Sequence, residues 1–200
     1  MKLLSIVYGI ALGGIALAQG PTLRQRVELA NDSVVVIIKA DSQPVTLNDI
    51  LDQTDVIARG VVGASTSKLT PDESDVFTTF EIAGPRVAFQ ANAPQLIRPG
   101  VVPRPVSVTV KGGTVTIGSH TITVNYPDLP TLKLGMEIIA LLSDRDSKYV
   151  PAAGHGLMAV RNGRVELLSR ARPALENFGG AVADEVLNQI ATIRNAKPRR

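Results

Sequence analysis

Apolar and polar residues alternate along much of the chain between Asp55 and Glu166. The alternation is clearest in Val106–Lys111, Thr114–Ile117 and Thr121–Tyr126, where every second residue is a branched aliphatic or an aromatic. Successive side chains of a β-strand point to opposite faces of a sheet, so a period of two predicts strands with one buried and one solvated face. This pattern predicts a mainly β fold.

Short turn signals separate the predicted strands. Asn162-Gly163 is the strongest, because both positions of a tight two-residue hairpin turn need positive φ. Gly112-Gly113 and Gly118-Ser119 are predicted to form further tight turns between strands. The nearly continuous apolar run Met136–Leu142 predicts a strand through the core. Residues 92–105 hold too many prolines for a sheet interior and are expected to form an exposed connection.

Two helices are expected beside the strands. Thr46 and Asp49 have the spacing of a capping box, which predicts a helix at 47–53, just before the first long strand at Val56–Ala64. Near the carboxyl end, an apolar stripe predicts an amphipathic helix with acidic residues in its first turn and Arg194 in its last, as the helix dipole favours. The stripe consists of Val182, Val186, Ile190 and Ile193.

The amino-terminal segment has the features of an export signal. A charged start at Met1-Lys2 precedes an apolar or small stretch at Leu3–Ala18, and Ala16 and Ala18 supply the small residues of a cleavage site before Gln19. An uncleaved membrane anchor is the alternative, but the run is shorter than the roughly 20 apolar residues of a span and is interrupted by glycines. The mature protein is therefore expected to be secreted or periplasmic, with no membrane span.

The composition of the chain excludes several kinds of functional site. The chain has no cysteine, which excludes disulfides, thiolate metal ligands, a cysteine nucleophile and lipid attachment at the leader junction. The formal net charge is +3, and the only basic cluster is Lys197–Arg200 at the end of the chain. Nucleic-acid binding calls for clustered basic residues and stacking aromatics, and aromatic residues make up only 4% of this chain. We therefore expect neither a nucleic-acid partner nor a cofactor.

Several stretches, taken in order, are similar to a known family. They are Leu51–Val62, Thr78–Ile82, Val108–Gly113, Leu134–Leu142 and Gly154–Val160. They resemble a group of uncharacterised bacterial exported proteins with an OB-like barrel, related in shape to the domains of metalloproteinase inhibitors and netrins. The resemblance implies export and a small OB-like β-barrel, and it implies no catalytic or binding residues. Inhibitor function does not carry over, because those inhibitors chelate a catalytic zinc through an amino-terminal cysteine.

The expected organisation has four parts. Residues 1–18 are the signal peptide, and residues 19–44 form a segment with one strand at Ser33–Ala40, whose continuous branched run predicts burial on both faces. Residues 45–170 form the OB-like β domain with its short preceding helix. Residues 171–200 carry the amphipathic helix and the basic tail.

A few residues are candidates for chemistry. His155 lies between two glycines, which would let the backbone approach a ligand and leave the imidazole exposed as a general base or metal ligand. A loop histidine beside a hairpin, without a functional role, is the more common case. Two acidic groups could hold a hard cation, although neither has the calcium-loop pattern and solvated turn carboxylates are more common. These groups are Asp72, Glu73 and Asp75, and separately Asp144 and Asp146.

No motif in the chain names a reaction. Our first hypothesis is a non-catalytic binding or protein-interaction module of the cell envelope, whose partner is another envelope or extracellular protein. The alternative is a hydrolase or metal-dependent enzyme that uses His155 with nearby carboxylates. The sequence leaves the oligomeric state open.

Overall fold

The computed structural model describes residues 5–7, 20–39, 45–91, 106–145, 148–168 and 173–197. In chain order, the strands are β1 (Ser5–Val7), β2 (Val34–Ile37), β3 (Val56–Leu69), β4 (Val76–Gln90), β5 (Val106–Lys111), β6 (Gly113–Ile117), β7 (His120–Asn125), β8 (Glu137–Arg145), β9 (Lys148–Pro151), β10 (Leu157–Arg161) and β11 (Arg164–Leu167). The helices are α1 (Leu23–Ala30), α2 (Leu47–Asp52), α3 (Pro173–Glu176) and α4 (Ala183–Ala196), with a short 3₁₀ turn at Ala152–Gly154. The mainly β prediction is confirmed, with a short helix before the first long strand and an amphipathic helix near the carboxyl end.

The chain forms two compact units, each assembled from three segments. The first unit comprises Met1–Asp41, Thr66–Thr78 and Lys111–Asp128. The second comprises Ser42–Ser65, Thr79–Val110 and Leu129–Arg200.

The first unit contains a four-stranded sheet in the order β1-β2-β7-β6. The β1–β2 and β2–β7 pairs are parallel, and β6 and β7 form an antiparallel hairpin. The predicted Gly118-Ser119 turn joins the two strands of this hairpin. Strand β1 lies within the stretch that the sequence predicts to be a cleavable leader.

Strand β2 is buried on one face only. Val34 and Val36 belong to the apolar core of the first unit, together with Ile122 and Val124 of β7. The intervening side chains, Val35 among them, remain partly exposed. The expectation of burial on both faces is therefore wrong, because the described core packs against one side of this sheet.

The second unit contains most of β3, β4 and β5 and all of β8 and β9. These strands are linked in the order β3-β4-β5-β9-β8, and β8 pairs again with β3. This cyclic order, with β5 parallel to β9, is the strand order of an OB-like barrel. The link between β5 and β9 is a single residue pair, Val108 with Tyr149. The barrel is therefore not clearly closed. Strands β10 and β11 extend the sheet beyond β8.

Strand β8 is the centre of the second unit, as its apolar run predicts. Ile138, Ala140 and Leu142 belong to a core with residues of β3 and β4. Ile139 and Leu141 face a different core, which includes the apolar side of α4. A continuous apolar strand is required here because both of its faces are covered.

Two glycine-containing dipeptides do not have the structural role that such dipeptides usually indicate. Gly112-Gly113 does not close a hairpin, because β5 pairs with β4 and β9 whereas β6 pairs with β7. The doublet carries the chain from one sheet to the other. Strand β4 also continues through Gly84-Pro85, although a Gly-Pro dipeptide commonly interrupts a strand, and Gly84 has a φ of 57° within the strand. A single left-handed residue can bend a strand without ending it.

The helices and the second hairpin follow the local signals. Thr46 and Asp49 form the predicted capping box at the start of α2. Asn162 and Gly163 have φ values of 52° and 74° and join β10 to β11. Helix α4 buries Val186 and Ile190 of the predicted stripe, and α1 is an additional helix that the sequence analysis does not predict.

Candidate functional site

His155 lies at the end of the 3₁₀ turn that follows β9. Its backbone amide donates to the carbonyl oxygen of Ala152 at 2.9 Å, and its own carbonyl accepts from the amide of Leu157 at 2.8 Å. Ala153 has a φ of 49° and a ψ of 25°, which is the left-handed region that alanine rarely adopts. The turn therefore fixes the backbone conformation of His155.

The glycine after His155 serves packing between strands. A Cβ at Gly156 would overlap the carbonyl oxygen of Leu141 in β8. The amide of Leu141 donates to the Gly156 carbonyl at 2.6 Å. The close approach that a glycine permits is thus made to a neighbouring strand of the protein itself.

The imidazole of His155 is partly buried, and its Nδ1 atom is buried without a hydrogen-bond partner. A catalytic histidine is normally oriented by an acceptor on the ring nitrogen that does not react. The described residues supply no such acceptor to Nδ1, so this part of a general-base arrangement is missing. They also bring together no group of three or more histidine, aspartate or glutamate side chains that could hold a metal ion.

The carboxylates of the acidic loop in the first unit form hydrogen bonds and an ion pair with other residues of the protein. Asp72 accepts from the amide and the hydroxyl of Ser74, at 3.3 and 2.8 Å, and hydrogen bonds from Thr70 and Ser74 hold the pKa of Asp72 below its usual value. Glu73 pairs with Arg24 of α1 at 2.6 Å. The backbone carbonyl of Glu73 also accepts from the amide of Leu23 at 2.9 Å. These contacts shape the turn and hold the start of α1.

The carboxylate of Asp75 is hydrogen-bonded to a tyrosine. Its Oδ2 accepts the phenolic proton of Tyr126 at 2.5 Å, and its Oδ1 accepts the amide of Val76 at 2.7 Å. Burial, followed by the hydrogen bond to Asp75, raises the pKa of Tyr126. The three carboxylates of this loop are thus directed at different partners, whereas a cation site needs oxygens that converge on one point.

The second acidic group is only partly described. Asp144 is exposed on β8, and its backbone amide donates to Asp55 Oδ2 at 2.8 Å. Burial, followed by the charges of Asp144 and Asp55, raises the pKa of Tyr149. Asp146 lies outside the described residues.

The four-stranded sheet has an outward face that the sequence analysis does not single out. Its register places Val35 beside Thr123, and Thr123 beside Thr114. None of the residues that β2, β6 and β7 place on this face is charged, and all of these are partly or fully exposed. We call it the hydroxyl face, and its residues are Val35, Ile37, Thr114, Thr116, Thr121, Thr123 and Asn125.

The signal for the hydroxyl face is present in the sequence as threonine at alternate positions of β6 and β7. The Oγ1 atoms of Thr114 and Thr123 lie 2.9 Å apart across the two strands. The neighbouring strand, β2, is distant in the chain and reaches this sheet through a parallel pairing. The alternation of neighbouring residues does not predict such a pairing, so only the tertiary structure shows which residues form the whole face.

Comparison with known proteins finds no matching family model and no significantly similar curated protein or solved structure. The class of the protein is therefore defined by its fold, a mainly β chain with an OB-like strand order in one unit and a four-stranded sheet in the other. None of the helices in the described part of the chain is long and apolar enough to cross a membrane.

Proposed function

We propose that the protein is an exported, non-catalytic protein-interaction module and that the hydroxyl face is its binding surface. The observation that carries this proposal is the absence of charge on that face, where threonines, two aliphatic side chains and an asparagine are partly or fully exposed. The central part of a protein interface is depleted in charged residues, because an unpaired charge is costly to remove from water.

The chemistry of the face indicates the kind of partner that fits it. The hydroxyls of Thr114 and Thr123 form a hydrogen bond with each other, so the one that donates needs no acceptor from a partner. Val35 and Ile37 add aliphatic surface along the same side of the sheet. A partner protein with an uncharged, flat surface of aliphatic and small polar residues would complement this face. A charged surface would lose hydration there without finding a counter-charge.

The environment of the proposed function is outside the cytoplasm. The charged start, the apolar run and the small residues Ala16 and Ala18 support export. The resemblance to exported OB-like proteins also supports it. Amino-terminal sequencing of the protein recovered from the envelope and the medium tests this point. We expect Gln19 as the first residue, and an intact Met1 terminus would contradict export through a cleaved leader.

The binding proposal is tested by affinity capture. The chain carries a carboxy-terminal tag and is expressed in the organism that naturally produces it. Envelope and culture-fluid fractions are captured and analysed by mass spectrometry. Thr123→Glu introduces a charge in the middle of the hydroxyl face, on the strand between β2 and β6. Thr66→Glu is the matched control, because Thr66 is an exposed threonine on another strand.

We expect the unmodified protein and Thr66→Glu to retain the same partner and Thr123→Glu to lose it, with all three equally stable to heat. Retention of that partner by Thr123→Glu would contradict the hydroxyl face as the binding surface. Loss of capture in all three proteins would contradict the interaction module itself.

The alternative function is an enzyme with His155 in its site. The left-handed backbone of Ala153, two residues before His155, favours it, because backbone strain is often stored at functional sites. His155→Ala separates the two functions. An enzyme would lose turnover on its substrate, whereas the interaction module would capture its partner as before.

A further inference from the structure

Strand β6 is the last strand of the four-stranded sheet in the part of the chain that the structure describes. It pairs with β7 on one side, and the sheet order ends there. A strand in this position presents backbone amides and carbonyls that have no partner in its own sheet. The far edge of β6 is therefore able to receive another strand.

The register of the hairpin identifies the groups that point outward. Ile117 and His120 flank a two-residue turn, and such a closing pair exchanges both backbone hydrogen bonds. Hydrogen-bonded and non-hydrogen-bonded pairs then alternate, so Thr114 and Thr116 are in non-hydrogen-bonded pairs. Their amides and carbonyls point away from β7. The short distance between the Thr114 and Thr123 hydroxyls fits this assignment.

The described residues of this edge supply none of the common side-chain protections against strand addition. Natural sheets guard exposed edges with lysine, with proline or with charges that point inward. Strand β6 has the sequence Gly-Thr-Val-Thr-Ile and contains none of these. Thr114 and Thr116 are exposed, and Val115 and Ile117 pack against the core of the first unit while only partly buried. An added strand would cover the open side of these two aliphatic residues.

We propose that a second copy of the chain occupies this edge, with the two β6 strands antiparallel about a two-fold axis at Val115. A strand that is uncharged and alternates small polar with β-branched apolar residues matches both faces of this edge, and β6 itself has this pattern. In this register Thr114 of one copy lies opposite Thr116 of the other. The two sheets join into one, with hydroxyls on one side and aliphatic residues on the other. An antiparallel pairing of one strand with its own copy is isologous, so the assembly closes as a dimer.

This inference goes beyond the proposed function, because edge pairing involves backbone groups and leaves the outward side of the sheet uncovered. The test is sedimentation velocity of the exported protein over a range of concentrations. The variant is Thr114→Lys with Thr116→Lys, which places lysines directly opposite lysines in the dimer. The control is Thr121→Lys with Thr123→Lys, which adds the same charge to the same side of the sheet on the inner strand β7.

We expect a reversible dimer for the unmodified chain and for the β7 control. For the β6 variant we expect a dissociation constant at least about tenfold higher, because like charges directly opposite each other oppose pairing. Circular dichroism and thermal unfolding at low concentration establish that both variants fold. A chain that stays monomeric up to about 0.2 mM would overturn the proposal. A dimer that the β6 lysines leave unchanged would overturn it as well. Neither result depends on capture of another protein.

Discussion

Tyr126 donates a hydrogen bond of 2.5 Å to Asp75, a carboxylate that the sequence presents as a possible metal ligand. The two residues are distant in the chain but belong to the same compact unit. Lys111 Nζ lies 5.8 Å from the centre of the Tyr126 ring, so the phenol is held between an anion and a cation. The carboxylate is therefore part of the internal packing of the unit.

Tyr126→Phe should lower the free energy of unfolding at pH 7 by about 1 to 2 kcal/mol, because it removes a hydrogen bond to a charged group. Urea denaturation of the unmodified and substituted proteins measures the difference. Tyr149→Phe is the matched control, since Tyr149 is also partly buried but has no carboxylate hydrogen-bond partner among the described residues. An equal loss in both variants would contradict a specific role for the bond to Asp75.

The same pair predicts a dependence on alkaline pH. The pKa of Tyr126 is raised in the folded state, so its contribution to stability is complete below the unfolded pKa of about 10 and is lost as the pH rises above it. The stability difference between the unmodified protein and Tyr126→Phe should therefore stay constant up to about pH 10 and shrink from there to about pH 11. Urea denaturation across that range tests the sign. A difference that grows with pH would contradict the raised pKa.

Gly156→Ala should be severely destabilising, by about 3 kcal/mol or more, because the new methyl group would overlap the Leu141 carbonyl in the backbone of β8. Gly154→Ala should cost only about 1 to 2 kcal/mol, since Gly154 has a φ of 72° but open space around its Cβ position. Thermal unfolding of the two variants gives the comparison. Similar losses would mean that strand contact at Gly156 is less important than backbone conformation.

His155→Leu should leave the free energy of unfolding unchanged or raise it by up to about 1 kcal/mol. The native Nδ1 atom is buried without a hydrogen-bond partner, and an apolar side chain of similar volume removes that cost. Chemical denaturation measures the change. A loss of more than about 1 kcal/mol would show that the imidazole makes a stabilising polar contact.

Arg194→Met should lower the free energy of unfolding by about 2 to 3 kcal/mol. Arg194 is 7% exposed, its Nε donates to the carbonyl oxygen of Thr54 at 2.9 Å, and its guanidinium lies 5.0 Å from the centre of the Phe89 ring. Arg161→Met is the control, because that side chain is 78% exposed. The control should change stability by less than about 0.5 kcal/mol. Equal stability of the two variants would show that Arg194 does not hold α4 in place.

Features that depend on residues close together in the chain are predictable from the sequence. The capping box of Thr46 and Asp49 starts α2 as expected, because both hydrogen bonds lie within one helical turn. Asn162-Gly163 forms the expected hairpin for the same local reason. The apolar run of β8 also indicates correctly that both of its faces are covered. The presumed leader and the proposed functions stay predictions.

The long-range arrangement is decided by the tertiary structure. Alternating residues of β8 enter two different cores, and no property of the run itself assigns a core to each face. Gly112-Gly113 shows the limit clearly, because the same doublet can close a hairpin or connect two sheets. The outcome here follows from the pairing of β5 with β4 and of β6 with β7.

The sequence by itself determined most of the strands and the helices α2 and α4, since hydrogen bonding within a turn and the alternation of side chains are local properties. Tertiary structure alone decided which strands are neighbours and which carboxylates find partners. Asp75 is directed at Tyr126 and Glu73 at Arg24, so carboxylates that are close together in the sequence take separate partners in the fold. The physical reason is that a charged group takes the nearest donor that chain folding supplies, and the sequence does not state which donor that is.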